Sequence, residues 1–284
     1  MNLSETKELD VDVMPQTKTS DVLKSIEFKK DFRYTRKVPT FACNSVSGYS
    51  EIARWVLDQN EILFIEKANA PRIYLNKVNK LTGTDGVRNA PVLVNTDSLI
   101  YTAESIIHHF DRRVPSEKRL FPEDATKYKE VMDLYKMFTN ELNGYVWQYL
   151  YTELLGSRKN ALKLFKDGVP WMDRFKYTFG YSFYKKALIK QWDIDGKDSI
   201  QFLIEIKKIL AKVDALLSDG RRYLTGDKIS AADVAFASIM APIILPEEFG
   251  GSIVRIDQIS EELRLEIIEL RATKAGQFVL GIYI

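Results

Sequence analysis

Cysteine and histidine are nearly absent. The 284 residues hold one cysteine, Cys43, and two histidines, the adjacent pair His108 and His109. A lone cysteine excludes an intramolecular disulfide and fits a reducing compartment. So small a set cannot assemble a Cys/His zinc cluster, and no metal is expected. Charge of one sign is missing too. The formal net charge is +2, so the bulk composition asks for neither nucleic acid nor a membrane surface as partner. The longest apolar stretch, residues 234–245, is interrupted by Pro242 and is too short to span a bilayer. Residues 1–30 carry no apolar core of the kind a signal peptide needs. Repeats and low-complexity tracts are also lacking. A soluble, cytoplasmic globular protein is expected, and 45% apolar with 28% charged residues suits it. The length allows two domains, each with its own core.

Hydrophobic spacing supplies the elements. Residues 1–35 are polar and without period, and read as a flexible extension. Residues 38–43 are β-prone, residues 49–59 carry Ile52, Ala53, Val56 and Leu57 at helical spacing, and residues 62–65 read as a second strand. Such a strand–helix–strand unit makes a parallel pair. Ile73, Leu75 and Val78 mark a short helix. Residues 92–94 and 99–101 form a hairpin about a polar turn, and Thr102 offers an N-cap for a helix to about Arg112. Beyond Pro115 the pattern is helical throughout. Segments run over 122–155, 158–190 with a break near Gly168 to Pro170, 200–217, 230 to about 240, and 261 to about 273. The domains are therefore read as 36–114 and 122–284, joined by a charged connector between Pro115 and Pro122.

Three strings carry chemistry. Residues 224–234, Leu-Thr-Gly-Asp-Lys-Ile-Ser-Ala-Ala-Asp-Val, are a helix start. Ser230 is the N-cap, Asp233 completes a capping box, and Ile229 can staple onto Val234. The second string is Ala90-Pro91-Val92-Leu93-Val94, a turn, then Thr102-Ala103-Glu104-Ser105. Ser105 and the amides of a helix N-terminus suit a carboxylate, and Glu104 suits an ammonium. Equally, Glu104 suits the positive end of the helix dipole alone. The third is Ser47-Gly48-Tyr49-Ser50-Glu51-Ile52-Ala53-Arg54, between the first strand and the first helix.

Together these strings resemble the glutathione transferases, over roughly residues 38–113 and 122–284. The resemblance implies a thioredoxin-like α/β domain followed by an all-α helical-bundle domain, and a homodimer. It implies a cis Ala90–Pro91 bond, with Ala90 pairing through its backbone to the cysteinyl part of glutathione. Glu104 and Ser105 match the pair that holds the γ-glutamyl end. Lys77, Lys80 or Arg88 would hold the glycyl carboxylate. Ser47 falls at the place of the residue that touches the glutathione sulfur, where a hydroxyl at a helix N-terminus stabilises the thiolate. The alternative is that Ser47 only caps the helix, and Asn44, Ser45 and Tyr49 are nearby substitutes. Gly48 stands where the family often has proline, which leaves the loop less fixed.

The implied function is transfer of the glutathione thiolate to a hydrophobic electrophile. Two other readings stay open. One is a non-catalytic binding or assembly protein of the same fold. The other is a thiol transferase using Cys43, although a cysteine at the end of an apolar strand is usually a small buried hydrophobe. Tyr145, Trp147, Tyr149 and Tyr151 either line an electrophile pocket or are core. The aromatic stretch 157–198, with Trp171, Phe175, Tyr177, Phe179, Tyr181, Phe183 and Tyr184, and the N-terminal extension depart from the family pattern.

Overall fold

The computed structural model describes residues 38–70, 91–94, 99–166, 168–251, 253, 256 and 259–284. The N-terminal extension, the short helix expected after Pro71, the turn at 95–98 and Ala90 with its peptide bond to Pro91 lie outside the described residues. So do Lys77, Lys80 and Arg88.

Four strands form one mixed sheet. They are β1 (Thr40–Asn44), β2 (Ile65–Asn69), β3 (Val92–Val94) and β4 (Leu99–Tyr101), in the order β2-β1-β3-β4. β1 runs parallel to β2 and antiparallel to β3, and β3 with β4 makes the expected hairpin. Alternation divides β1 between two faces. Phe41 and Cys43 enter the main core, while Ala42 joins Val92 and Val94 in a small cluster covered by Leu99 and Tyr101.

β2 starts three residues later than the apolar run suggested. Leu63 is exposed, and the strand itself is Ile-Glu-Lys-Ala-Asn, the polar composition of a sheet edge. Glu66 in this strand stays partly exposed and accepts a fork of two hydrogen bonds from Arg54, at 2.8 and 3.0 Å.

Ten α-helices are described. α1 (Gly48–Gln59) joins β1 to β2, and α2 (Ala103–Asp111) follows the hairpin. Then come α3 (Ala125–Lys136), α4 (Asn143–Leu154), α5 (Arg158–Lys166), α6 (Trp171–Trp192), α7 (Ser199–Leu216), α8 (Ala231–Ile244), α9 (Glu261–Ala272) and α10 (Lys274–Ile282). A six-residue π-helical stretch, Met137–Leu142, links α3 to α4. The expected break between α5 and α6 is present, with Gly168 at φ +63° and Pro170 as N-cap of α6.

α8 is the axis of the helical part. All fourteen of its residues are buried, including Pro242, and it packs on α1, α3, α4 and α10. Its start is built as the sequence implies. The reciprocal bonds of a capping box join Ser230 and Asp233. The Asp233 carboxylate accepts from the Ser230 amide (2.7 Å), the Ser230 hydroxyl (2.6 Å) and the Leu224 amide (2.7 Å). Asp233 is thus a folding device that pins the 224 turn to the helix. α10 was not legible from hydrophobic spacing, because its nine residues include two glycines. Thr273 closes α9 and caps α10, accepting from the Gly276 amide at 2.9 Å.

Candidate functional site

The N-terminus of α1 is set by packing and by a buried ion cluster. Gly48 is the first residue of α1. A Cβ there would lie 2.7 Å from Ile239 Cδ1 and 2.9 Å from the Ser238 carbonyl oxygen. The expectation of a loosened loop is therefore corrected: glycine lets the start of α1 press directly on α8. One turn further on, Arg54 is 4% exposed and bridges Glu51 (2.8 Å) and Glu66 (2.8 Å). Glu51 also accepts from the Gly250 amide at 3.0 Å. Burial pushes the Glu51 carboxyl up, opposed by Arg54. This cluster ties α1 to β2 and to the turn at Gly250.

Ser47, the N-cap of α1, is 2% exposed and adopts extended backbone, yet its side chain makes no capping bond to α1. It lines a small cavity with Asn44, Tyr49, Asn143, Trp147, Tyr151, Gln191 and Trp192. Strand end, helix start, α4 and the end of α6 meet there. Two polar atoms of this lining are buried with no hydrogen-bond partner among the described residues: Asn143 Oδ1, an acceptor, and Trp192 Nε1, a donor. An unmade hydrogen bond at a buried polar atom costs about 1–3 kcal/mol, so these atoms mark a place that polar matter is suited to fill. The cavity volume is about 10 Å³, close to the space of a single water molecule.

Among the neighbours of Ser47, Tyr49, Asn44 and Cys43 are engaged in other bonds. The Tyr49 hydroxyl donates to the Thr139 carbonyl in the π-helical stretch at 2.5 Å, and burial pushes its pKa up to about 12. The Asn44 side chain accepts from the Val46 amide at 3.3 Å. The Ser45 hydroxyl is buried but lies outside the lining of this cavity. Cys43 is fully buried in β1, where its thiol donates to Glu66 (3.1 Å) and accepts from Arg54 (3.4 Å). Burial pushes its pKa well up, with Glu66 adding to the rise and Arg54 opposing it. Such a thiol stays protonated and inaccessible, which is the opposite of what a reactive cysteine needs.

The aromatic cluster of α4 divides. Trp147 and Tyr151 line the cavity, with ring centroids 5.1 Å apart, and both lie tilted against Trp192 at 6.5 and 5.8 Å. Tyr149 is buried outside the cavity lining, and Tyr145 packs at the edge of the core. The Trp192 and Asn143 contributions had no sequence signal: one ends a helix of mixed polarity, the other follows the π-helical stretch.

The second group sits at the start of α2. Pro91 is buried, and its carbonyl accepts from the Thr102 amide at 3.1 Å. Thr102 is the N-cap, at φ +75°, an unfavourable region for a β-branched residue. Its hydroxyl accepts from the Ser105 amide (3.1 Å) and donates to the Ser105 hydroxyl (2.9 Å). Ser105 is exposed, and Glu104 is half exposed with His108 Nε2 at 3.9 Å. The structure does not place Glu104 or Ser105 in the lining of the Ser47 cavity. A larger cavity of about 390 Å³ lies along α1 between Trp55 and Tyr283 and contains none of the expected residues. Among the described residues no group of three metal-ligating side chains occurs, and no helix is long and apolar enough to cross a membrane.

No protein-family model and no curated protein matches the sequence. Solved structures do. Glutathione transferase GSTFuA3 from Phanerochaete chrysosporium superposes with a TM-score of 0.57 at 13% identity, covering 88% of this chain and 97% of that one. Beta-etherase LigF from Sphingobium sp. strain SYK-6 gives 0.50 at 14%, covering 86% and 99%. A glutathione S-transferase from Sinorhizobium meliloti 1021 gives 0.49 at 16%, covering 86% and 93%. Identities this low speak to fold alone. With the mixed sheet, the buried α8 and its capping box, the superpositions on GSTFuA3 and LigF establish that the chain has the glutathione-transferase fold, a thioredoxin-like α/β unit followed by a helical bundle.

Proposed function

We propose that the protein binds glutathione and promotes attack of its sulfur on an apolar electrophile, with Ser47 as the residue that faces the sulfur. The observation that carries this reading is the Ser47 cavity. A buried hydroxyl at a helix N-terminus shares a lining with two unpartnered polar atoms, Asn143 Oδ1 and Trp192 Nε1. Glutathione would supply a thiol that, once ionised, forms a bond to carbon as the leaving group departs with its electron pair. The protein's part is to favour that ionisation. The Ser47 hydroxyl and the positive end of α1 stabilise negative charge on sulfur, and the thiol proton passes to solvent. In this reading the cavity, with room here for about one water, opens on binding so that Trp147, Tyr151 and Trp192 face the electrophile.

The fit is uneven along the tripeptide. The sulfur end has a hydroxyl, a donor and an acceptor. The γ-glutamyl end, assigned to Glu104 and Ser105, rests on a helix start whose Ser105 amide is already taken by Thr102. Ala90 and the residues proposed for the glycyl carboxylate complete the assignment by resemblance. A homodimer with its domains divided near residues 114–122 belongs to the same proposal.

A second reading is favoured by the small size of the cavity and by that self-capped α2. In it the chain keeps the fold as a non-catalytic binding or assembly module. Fold does not fix function. Retention on immobilised glutathione and turnover of a generic aryl halide separate the two. The enzyme reading expects both, with weaker retention for Trp192→Phe, which removes the unpartnered donor. No retention and no turnover would leave the module.

A further inference from the structure

The face of α6 that points away from the core is apolar and uncovered among the described residues. Trp171, Phe175, Phe179 and Phe183 recur every four residues and are 73%, 57%, 76% and 70% exposed, with Met172 beside them. Opposite them, Asp173, Tyr177, Tyr181 and Leu188 are buried against the bundle. Phe175 and Phe179 touch each other, with ring centroids 4.5 Å apart. At about 1.5 Å per residue the stripe is about 18 Å long. Single exposed apolar side chains are ordinary, but a contiguous aromatic row is the mark of a docking surface.

The charge around the row names the partner. Residues 157–190 carry nine Lys and Arg against two Asp, in a chain whose net charge is only +2. One of the two, Asp173, is buried on the inner face. The outer face continues past Phe183 into Lys186 and Lys190, and Lys176 flanks it. The neighbouring α5 adds exposed Lys159 and Lys163, and is braced on α6 by Arg158, which donates to the Thr178 carbonyl at 2.7 Å and lies over the Tyr181 ring. A second copy of this face is a poor partner, because a two-fold contact would set like charges together. Single-stranded nucleic acid also stacks on aromatic rings beside cations, but Phe175 and Phe179 pack on each other, with centroids 4.5 Å apart and planes tilted by 43°, which leaves no gap between them for a base.

We propose that α6 docks the protein peripherally on an anionic lipid bilayer. The helix lies in the plane of the interface, with the Trp/Phe row among the acyl-chain boundary and the lysine stems reaching to the headgroups. The near-neutral total charge concealed this surface, since it averages over a basic face and an acidic remainder. The proposal is independent of the glutathione reading.

The test is co-sedimentation of the full chain with vesicles of pure phosphatidylcholine and of phosphatidylcholine containing about one-third phosphatidylglycerol. The protein is expected to pellet with the anionic vesicles, about tenfold or more weakly with the neutral ones, and less as salt rises. The double variant F175S/F179S, whose side chains are both more than half exposed, is expected to keep its thermal midpoint and lose about tenfold or more of the binding. Equal pelleting with both vesicles, no pelleting, or an unchanged double variant each overturns the proposal. So does a double variant that halves the solution mass, which would make the face a contact between copies, or one that loses only oligonucleotide binding.

Discussion

Ser47 and Asp233 are both N-cap-region residues, and the structure gives them different work. Asp233 is saturated with hydrogen bonds and fully buried, so Asp233→Ala is expected to strand the Leu224 and Ser230 amides. The cost is about 2–4 kcal/mol, read as a fall in the urea midpoint. Ser47 lines a cavity at the start of α1, so Ser47→Ala is expected to lower conjugation about a hundredfold, measured as kcat/KM with an aryl halide beside a thermal midpoint that reads any cost to the fold. His108 and His109 both contribute to acid sensitivity, because burial holds each pKa below the usual value. His108 stacks on Phe121 at 4.5 Å, and Glu104 opposes the effect of its burial. The fold thus favours the neutral ring. That stabilisation is full above about pH 6.5 and is lost as pH falls through the lower folded value. The urea midpoint should drop from about pH 7 to about pH 5, and His108→Gln should flatten part of the drop.

At the scale of elements, the close meeting of α1 with α8 at Gly48 fixes where α1 starts, next to Ser47. Gly48→Ala introduces a Cβ against backbone, where the neighbour cannot yield as a flexible tip would. A loss of about 1–3 kcal/mol is expected in chemical unfolding, together with weakened glutathione retention, since Ser47 is the preceding residue. Arg54→Met should cost about 3–5 kcal/mol by leaving Glu51 and Glu66 without their shared cation. Elements with strong period or clear caps were legible in the sequence. α7, the hairpin, the α5–α6 break and the α8 capping box are where hydrophobic spacing, Pro170 and Ser230 put them. β2 and α10 were not. The first is a polar edge strand beside a misleading apolar run, and the second is a glycine-containing helix held by packing on α8.

For the whole molecule, the family resemblance of a few strings reached the fold, and local pattern reached one wall of the candidate site and stopped where that site depends on distant parts of the chain. Ser47 is visible in sequence because it sits at a strand–helix junction. Asn143 and Trp192 lie far along the chain and become part of its cavity only through the packing of α4 and α6. Conversely, Glu104 and Ser105 are a ligand pair only through the family resemblance, and in three dimensions their helix start is engaged with Thr102. The central claim concerns the sulfur, and the pKa of the bound glutathione thiol tests it most directly, followed by thiolate absorbance as pH is raised in the presence of excess protein. The account predicts a thiol in the wild-type complex that ionises about one unit or more below free glutathione, and one in Ser47→Ala that ionises near the free value. A wild-type thiol that titrates like free glutathione, or a lowered value that survives in Ser47→Ala, would contradict it.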